Sequence, residues 1–232
     1  GLDDTSSNIS KIKKFIPLVD HTFITTHPST LNLHNKNSEN IHFFMTPVDK
    51  NIECFDVFKL NPAMDLFYAM SHGVNRATLK KGKTDDRINF LNKLTTKLQG
   101  VNCDFYGFQN KEPIWGNNFY QALVNSKMGL NLSRGLPTKY YSSNRIASLI
   151  GNGLLTFIDK KTQIHDFFNK NEIIIYENIE DLSQKIRFYK NNSRIRKKIA
   201  ANGKKKYFKL FNELKITKYI VDVSLGNSAK LY

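Results

Sequence analysis

A cluster of cationic, hydroxyl and amide side chains lies between residues 134 and 145. It comprises Arg134, Lys139, Ser142, Ser143, Asn144 and Arg145. Guanidinium, ammonium and hydroxyl groups are the side chains that bind phosphate. The apolar run 128–132 predicts a buried strand before the cluster, and 144–150 predicts a helix after it. A loop between a strand end and a helix start favours an anion, because the first N–H groups of the helix lack acceptors. The cluster therefore predicts a phosphate site.

Two further loops are candidates for the same site. The first follows a predicted strand at 65–70 and contains Ser71, His72, Gly73 and Arg76. Gly73 permits close backbone approach and Arg76 can neutralise a diphosphate, whereas a histidine at a strand end is often only a structural hydrogen bonder. The second loop holds Gly107 and Phe108, where a ring and backbone groups can face a nucleobase. Trp115 lies on a turn, where it either stacks on a ligand or packs on the sheet edge.

The elements that carry these loops alternate between short apolar runs and amphipathic segments. Predicted strands are 65–70, 103–106, 128–132, 154–158 and 173–176, and predicted helices are 85–98, 118–124, 144–150, 162–168, 179–189 and 193–211. Strands separated by helices indicate βαβ units and a parallel sheet. The fold class is therefore predicted to be α/β, with a doubly wound parallel sheet.

The amino-terminal part forms one strand–helix–strand piece that is too small to bury its own sheet. Strands are predicted at 21–26 and 41–45, with a helix turn at 28–34 between them and a linker at 51–61. We therefore expect two units, an incomplete one at residues 1–55 and a complete one at residues 56–232. A partner domain or chain is expected to complete the first unit, since an uncovered sheet leaves an apolar patch.

Composition narrows the class of protein. The 232 residues carry a net charge of +15, two cysteines and no run near the ~20 apolar residues of a membrane span. The sequence has no residues at metal-ligand spacing and no glycine-rich loop of the kind that binds ATP or a nicotinamide cofactor. We therefore expect neither a metal nor a redox cofactor. We expect a cytoplasmic location. The basic excess is concentrated at 187–218. That segment is a solvated helix face, a patch on the inner face of an anionic membrane, or, least favoured because no motif accompanies it, a nucleic-acid contact.

The order of these segments resembles a known family. The stretches SKMGLNLSRG, YYSSNRIASLIGNGLLTFID and RIRKKIAANGKKKYFKLFN resemble the carboxyl-terminal half of group 1 glycosyltransferases, and especially the CgeB-like branch. The resemblance covers about 60–215. It implies a GT-B arrangement, in which two Rossmann-like domains face each other across a cleft and the second binds a nucleotide-sugar. Residues 1–55 similarly resemble the end of the amino-terminal, acceptor-side domain of that family with its hinge, and residues 56–232 would be the carboxyl-terminal, nucleotide-sugar-binding domain.

The resemblance also implies roles for the loops. Ser71, His72, Gly73 and Arg76 would face the donor diphosphate. Arg134 and Lys139 are expected to bind the same diphosphate or the sugar, on the evidence of their charge alone. Ser143, Asn144 and Arg145 would contact phosphates or sugar, and Gly107 and Phe108 the base. One departure is Ala147, which stands where many relatives carry a glutamate that binds the donor.

The implied activity is transfer of a sugar from a nucleotide-sugar to a glycan, lipid-linked or other acceptor without a metal, for a product such as cell-envelope polysaccharide. Arg145 is the first choice for neutralising the departing diphosphate, and the catalytic base is unassigned, with His72 a weak candidate. Two alternatives remain open: a nucleotide-sugar-binding module without catalysis, and a basic adaptor for membrane or nucleic acid.

Overall fold

The fold is described by a computed structural model covering residues 13–31, 40–71 and 85–231. The strands are β1 Thr22–Ile24, β2 Ile41–Phe43, β3 Met64–Ala69, β4 Cys103–Tyr106, β5 Ser126–Asn131, β6 Leu155–Asp159 and β7 Ile174–Tyr176. The helices are α1 Asp86–Lys97, α2 Gly116–Val124, α3 Asn144–Gly151, α4 Ile179–Asn191, α5 Ser193–Phe211 and α6 Glu213–Ser224.

Five of the strands form one parallel sheet in the order β4-β3-β5-β6-β7. The chain leaves β3 toward one edge, reaches β4, and then crosses back to build β5, β6 and β7 on the other side. This reversal opens a crevice at the carboxyl ends of β3 and β5, which is where parallel sheets bind ligands. The predicted doubly wound α/β class is confirmed.

Helices cover both faces of this sheet. On one face, Leu91 and Leu94 of α1 and Leu182 of α4 pack against Leu66 and Phe157. On the other face, Leu123 of α2 and Leu149 of α3 pack on Phe67. The strands are apolar on both faces because both faces are buried, which is why they appear in the sequence as continuous apolar runs.

The amino-terminal piece has its own two-stranded parallel sheet, in which Thr22 pairs with Ile41. Beyond β2 the chain joins the core of the larger sheet, because Met45 and Val48 are buried against Tyr207 and Phe211 of α5. The backbone N–H of Val48 donates to the carbonyl oxygen of Phe211 at 3.0 Å. The boundary near residue 55 stays a prediction.

Two predicted elements differ in the structure. The segment 162–168 is two short 3-10 turns, Lys160–Thr162 and Ile164–Asp166, because Gln163 between them has a φ of 54° that no helix continues. Helix α6 was not predicted, although Ile216 and Val223 are buried on one face of it. Within the described residues, no helix combines the length and apolar character that a membrane crossing requires.

Gly107 gives a test of the fold next to the crevice. Its φ is +74°, and an added Cβ would overlap the carbonyl oxygen of Met70. We expect Gly107→Ala to lower the free energy of unfolding by about 2–5 kcal/mol, since backbone strain and overpacking add. Gly226 has the same φ with open space around it, so Gly226→Ala should cost only about 1 kcal/mol. Equal losses in a urea titration of both variants would contradict the predicted clash.

Candidate functional site

The crevice is a cavity of about 550 Å³ that is walled by both sheets. Ala69 and Ser71 line it from the end of β3, and Ser133 from the end of β5. Thr25 and Thr46, which follow β1 and β2, form the opposite side. The carboxyl ends of both parallel sheets therefore face one cavity, which we call the cleft.

Arg145 spans the bottom of the cleft between β3 and β5. Its Nε donates to the carbonyl oxygen of Ala69 at 3.2 Å, and its Nη1 donates to that of Leu132 at 2.8 Å. Its guanidinium carbon also lies 5.1 Å from the ring centroid of Tyr68. These contacts fix a permanent positive charge at the point where the two strands part.

A buried ion cluster lies beside Arg145. Asp85 is fully buried and accepts from Arg87 Nε at 2.9 Å and Nη2 at 2.6 Å. Arg134 Nε lies 3.5 Å from the same carboxylate. Burial alone raises the pKa of Asp85, but the hydrogen bonds and charge of Arg87 outweigh it and lower that pKa to about 2. The cluster therefore carries a net positive charge, and both of its arginines line the cleft.

The two arginines of this cluster also hold the end of β3. Arg87 Nη2 donates to the carbonyl oxygen of Ser71 at 3.2 Å, and Arg134 Nη2 donates to the same oxygen at 3.4 Å. Arg87 occupies the first turn of α1 because Asp85 caps that helix, accepting from the backbone N–H of Arg87. Burial lowers the pKa of Arg87, but Asp85 outweighs this effect and raises it.

Helix α3 begins at the cleft. Ser143, Asn144 and Arg145 all line it, and Ser143 is the N-cap residue although its side chain makes no capping bond. The Oγ of Ser143 is buried without a hydrogen-bond partner. Ala147 is buried in the core against the amino-terminal segment, so a carboxylate at that position would lie in an apolar layer and not in the cleft.

The loop between β5 and α3 is pinned by the amino-terminal segment. The backbone N–H of Ser142 donates to the carbonyl oxygen of Thr25 at 2.8 Å, and its Oγ accepts from Thr46 N–H at 2.9 Å. The carbonyl oxygen of Lys139 accepts from Thr26 Oγ1 at 3.0 Å. The Lys139 ammonium lies 4.9 Å from the ring centroid of Tyr140, and Lys139 does not line the cleft.

Aromatic side chains form the wall beyond β4. Trp115 is 67% exposed and lines the cleft together with Phe119 at the start of α2. Phe108, predicted to face a base, is instead buried, with its ring centroid 6.1 Å from that of Phe105. Gly107 turns the chain so that this ring points into the core, and its own N–H donates to the carbonyl oxygen of Lys111.

The site residues divide into three groups. Ser71, Arg134, Ser143, Asn144 and Arg145 line the cleft, whereas Lys139, Gly107 and Phe108 do not. His72, Gly73 and Arg76 lie outside the described residues. Arg87 was missed, because the Asp-Asp-Arg sequence at 85–87 marks a helix start but not the contact of Arg87 with the end of β3. Among the residues that the structure describes, no group of three or more His, Cys, Asp or Glu could hold a metal ion.

Comparison with known proteins decides the family. The model of the family described as glycosyl transferase-like matches residues 86–214, which is more than half of the chain. The chain belongs to this glycosyl transferase-like family. No curated protein sequence matches it.

Solved structures share the fold of this glycosyl transferase-like chain at low sequence identity. S. aureus TarM, solved with UDP and alpha-GlcNAc-glycerol, is 12% identical at a TM-score of 0.64, covering 97% of this chain and 48% of its own. Anabaena HepE, solved with UDP-glucose, is 10% identical at a TM-score of 0.62, and the match covers 94% of this chain and 68% of HepE. Sucrose-phosphate synthase of Thermosynechococcus elongatus is 10% identical at a TM-score of 0.60, and the match covers 96% of this chain and 62% of the synthase.

These likenesses show a fold of the GT-B type, with a Rossmann-like carboxyl-terminal sheet. The chain spans about half of the length of TarM and about two-thirds of the other two proteins.

The buried ion cluster predicts an acid-dependent stability. Because the pKa of Asp85 is lowered from 3.8 to about 2, Asp85 contributes stability above pH ~4 that is lost as the pH falls through ~2, about 2 kcal/mol in all. Asp85→Asn should remove the contribution of Asp85 to the fall in the free energy of unfolding between pH 4 and 2, measured by urea unfolding. Asp86→Asn, on the exposed neighbour, should leave it. An unchanged loss in Asp85→Asn would show that Asp85 is not the group that titrates.

Proposed function

We propose that the chain is the donor-binding part of a glycosyltransferase that moves a sugar from a nucleotide-sugar to a glycan or lipid-linked acceptor. The observation that carries this proposal is the convergence of Arg87, Arg134 and Arg145 with the start of α3 on one cleft at the carboxyl ends of β3 and β5. Family membership supports the same activity. The CgeB-like branch stays part of the proposal, supported by the sequence resemblance alone.

The diphosphate of the donor is proposed to lie at the start of α3. Helix N–H groups and the unpartnered Ser143 hydroxyl offer donors there, and Arg145 supplies a fixed charge. The exposed face of Trp115 is proposed to take the base, in place of the buried Phe108. HepE and TarM, which were solved with UDP-glucose and UDP, support a nucleotide-sugar donor.

The chemistry of transfer explains why cations are needed. As the bond from sugar to diphosphate breaks, positive charge develops on the sugar and negative charge on the departing diphosphate. Preorganised guanidinium groups stabilise that negative charge without reorganising during the reaction. We propose that Arg145 and Arg134 do this, so that transfer proceeds without a metal. The base on the acceptor hydroxyl stays unassigned, with His72 a weak candidate.

Two alternatives make different demands on the cleft. A binding module without catalysis would bind nucleotide-sugar saturably without releasing free nucleotide. A basic adaptor would leave the cleft empty and bind anionic polymer in a salt-dependent way. The Ser143 hydroxyl without a partner and three arginines line the same cavity. This arrangement favours a protein that binds a phosphorylated ligand in the cleft over a basic adaptor.

The donor site can be tested by calorimetric titration with UDP, GDP, ADP and CMP. We expect one nucleotide to bind, and Ser143→Ala to weaken its binding by roughly 10- to 100-fold, the worth of one hydrogen bond to a charged group. The melting temperature without ligand should not fall, because the Ser143 hydroxyl has no partner to lose. Ser193→Ala, at the exposed start of α5, is the matched control. Failure of all four nucleotides to bind would contradict the donor site.

We further propose that α5 rests on an anionic membrane surface. The helix carries eight basic and no acidic side chains. Arg194, Lys198, Lys205 and Lys209 are exposed and lie on one side, spanning about 22 Å at 1.5 Å per residue. Exposed Ile195 borders this stripe. A linear cationic stripe with an apolar neighbour fits a charged lipid surface.

This membrane proposal predicts the behaviour of a triple variant. Replacing Lys198, Lys205 and Lys209 with Gln should lower the affinity for phosphatidylserine vesicles, measured by co-sedimentation, by about 100-fold, because each charge contributes ~1 kcal/mol. The control removes equal charge from exposed positions elsewhere, Lys93, Lys161 and Lys170. Equal loss in both variants would show that only net charge matters and would contradict a docking face.

A further inference from the structure

A second cavity, of about 220 Å³, lies beside the cleft beneath residues 133–138. Arg87, Ser133 and Leu136 line both spaces, so the two adjoin. The second cavity extends over the carboxyl ends of β6 and β7, where Asp159 and Tyr176 line it. We call this space the side chamber. Its volume is less than half that of the cleft, which restricts it to a small group.

The side chamber is lined by a hydroxyl group that has no hydrogen-bond partner. Tyr176 is 1% exposed, and its OH has no hydrogen-bond partner. Burial raises the pKa of Tyr176 well above its usual range, so the hydroxyl stays neutral and can donate. Asn131, which is 4% exposed and also lines the chamber, has an Oδ1 without a partner. Buried polar groups in native proteins are normally bonded, so such orphans at a cavity point to a ligand.

The charges of the side chamber select against an anion. Asp86 and Asp159 bring carboxylates to its wall, and the Asp86 carboxylate accepts from the N–H of Gly135 at 3.4 Å. The guanidinium of Arg87 is already bonded to Asp85 through two nitrogens. A phosphate group would therefore meet acidic side chains here, whereas in the cleft it meets arginines. The side chamber favours a neutral ligand with hydroxyl donors.

The remaining wall is apolar. Phe90, Leu132 and Pro137 face the same space as the carboxylates and the phenol. A pyranose ring matches this mixture, because its C–H faces pack on apolar side chains while its hydroxyls donate to carboxylates and accept from a phenol.

We propose that the side chamber binds one neutral sugar ring, with the Tyr176 hydroxyl hydrogen-bonded to a ring hydroxyl. The proposal rests on the proposed function and deepens it, since the chamber adjoins the cleft assigned to the donor diphosphate. The ring comes either from the donor or from the acceptor, and binding measurements distinguish the two sources.

The test is Tyr176→Phe, compared with the wild type in calorimetric titrations of UDP, UDP-glucose and UDP-N-acetylglucosamine. Free glucose and free N-acetylglucosamine are titrated with UDP present and, by NMR, with UDP absent. If the donor sugar occupies the chamber, the variant binds UDP as the wild type does but binds a UDP-sugar at least 5-fold more weakly. If an acceptor sugar occupies it, UDP and UDP-sugar affinities are unchanged and binding of a free sugar falls at least 5-fold.

Stability provides the control for this variant. Because the Tyr176 hydroxyl has no partner, Tyr176→Phe should leave the melting temperature unchanged or raise it. The hydroxyl of Tyr207 donates to the carbonyl oxygen of Thr46 at 2.8 Å, so Tyr207→Phe should lower it. A drop in Tyr176→Phe equal to that in Tyr207→Phe would mean that the hydroxyl has a structural partner, and would overturn the proposal.

The two proposals fail differently. Unchanged affinities of Tyr176→Phe for both UDP-sugars and both free sugars overturn the side chamber while UDP binding still supports the donor site. Absence of UDP binding in the wild type counts against the proposed function with this nucleotide, and free-sugar binding that depends on Tyr176 then still supports the chamber.

Discussion

The site depends on the way in which Arg145 joins two neighbouring parallel strands. At the point where the chain reverses direction across the sheet, β3 and β5 part, and the carbonyl oxygen of Leu132 just after β5 accepts from the Tyr68 hydroxyl at 3.0 Å. Arg145 donates to the carbonyl oxygen of Ala69 at the end of β3 and to the carbonyl oxygen of Leu132 just after β5. The same bonds that hold the two strand ends together therefore place a permanent positive charge in the crevice, so the fold itself positions this guanidinium.

The amino-terminal segment contributes to the site by holding the loop that leads to α3. Ser142 accepts from Thr46 and donates to Thr25, which ties this loop to the ends of β1 and β2. The start of α3 is thus fixed from two sides, by the large sheet through Arg145 and by the small sheet through Ser142. A preorganised loop binds a charged ligand with less ordering cost than a loose one.

The sequence was a good guide where structure is local. The strand, loop and helix around residues 126–159 follow from apolar runs and a helix of 3.6-residue period, and they place Ser143 and Arg145 at the cleft. It was a poor guide where tertiary packing decides. The ring of Phe108 turns into the core because Gly107 has a positive φ, which a local pattern does not reveal.

Arg87 and α6 illustrate two other kinds of omission. Arg87 joins the site only because Asp85 caps α1 beside the end of β3, and such a contact between distant segments has no sequence period. Helix α6, by contrast, had a usable signal in the three-to-four residue spacing of Ile216, Ile220 and Val223. The orphan hydroxyl of Tyr176 belongs to the first kind, since only the packed structure reveals that it lacks a partner.

The most direct test of the central claim is a crystal structure of the protein with UDP-glucose. We expect density for the diphosphate within hydrogen-bond distance of the first N–H groups of α3 and of Ser143, with Arg145 beside it. A nucleotide bound elsewhere on the chain, with the cleft between β3 and β5 holding only water, would contradict this expectation.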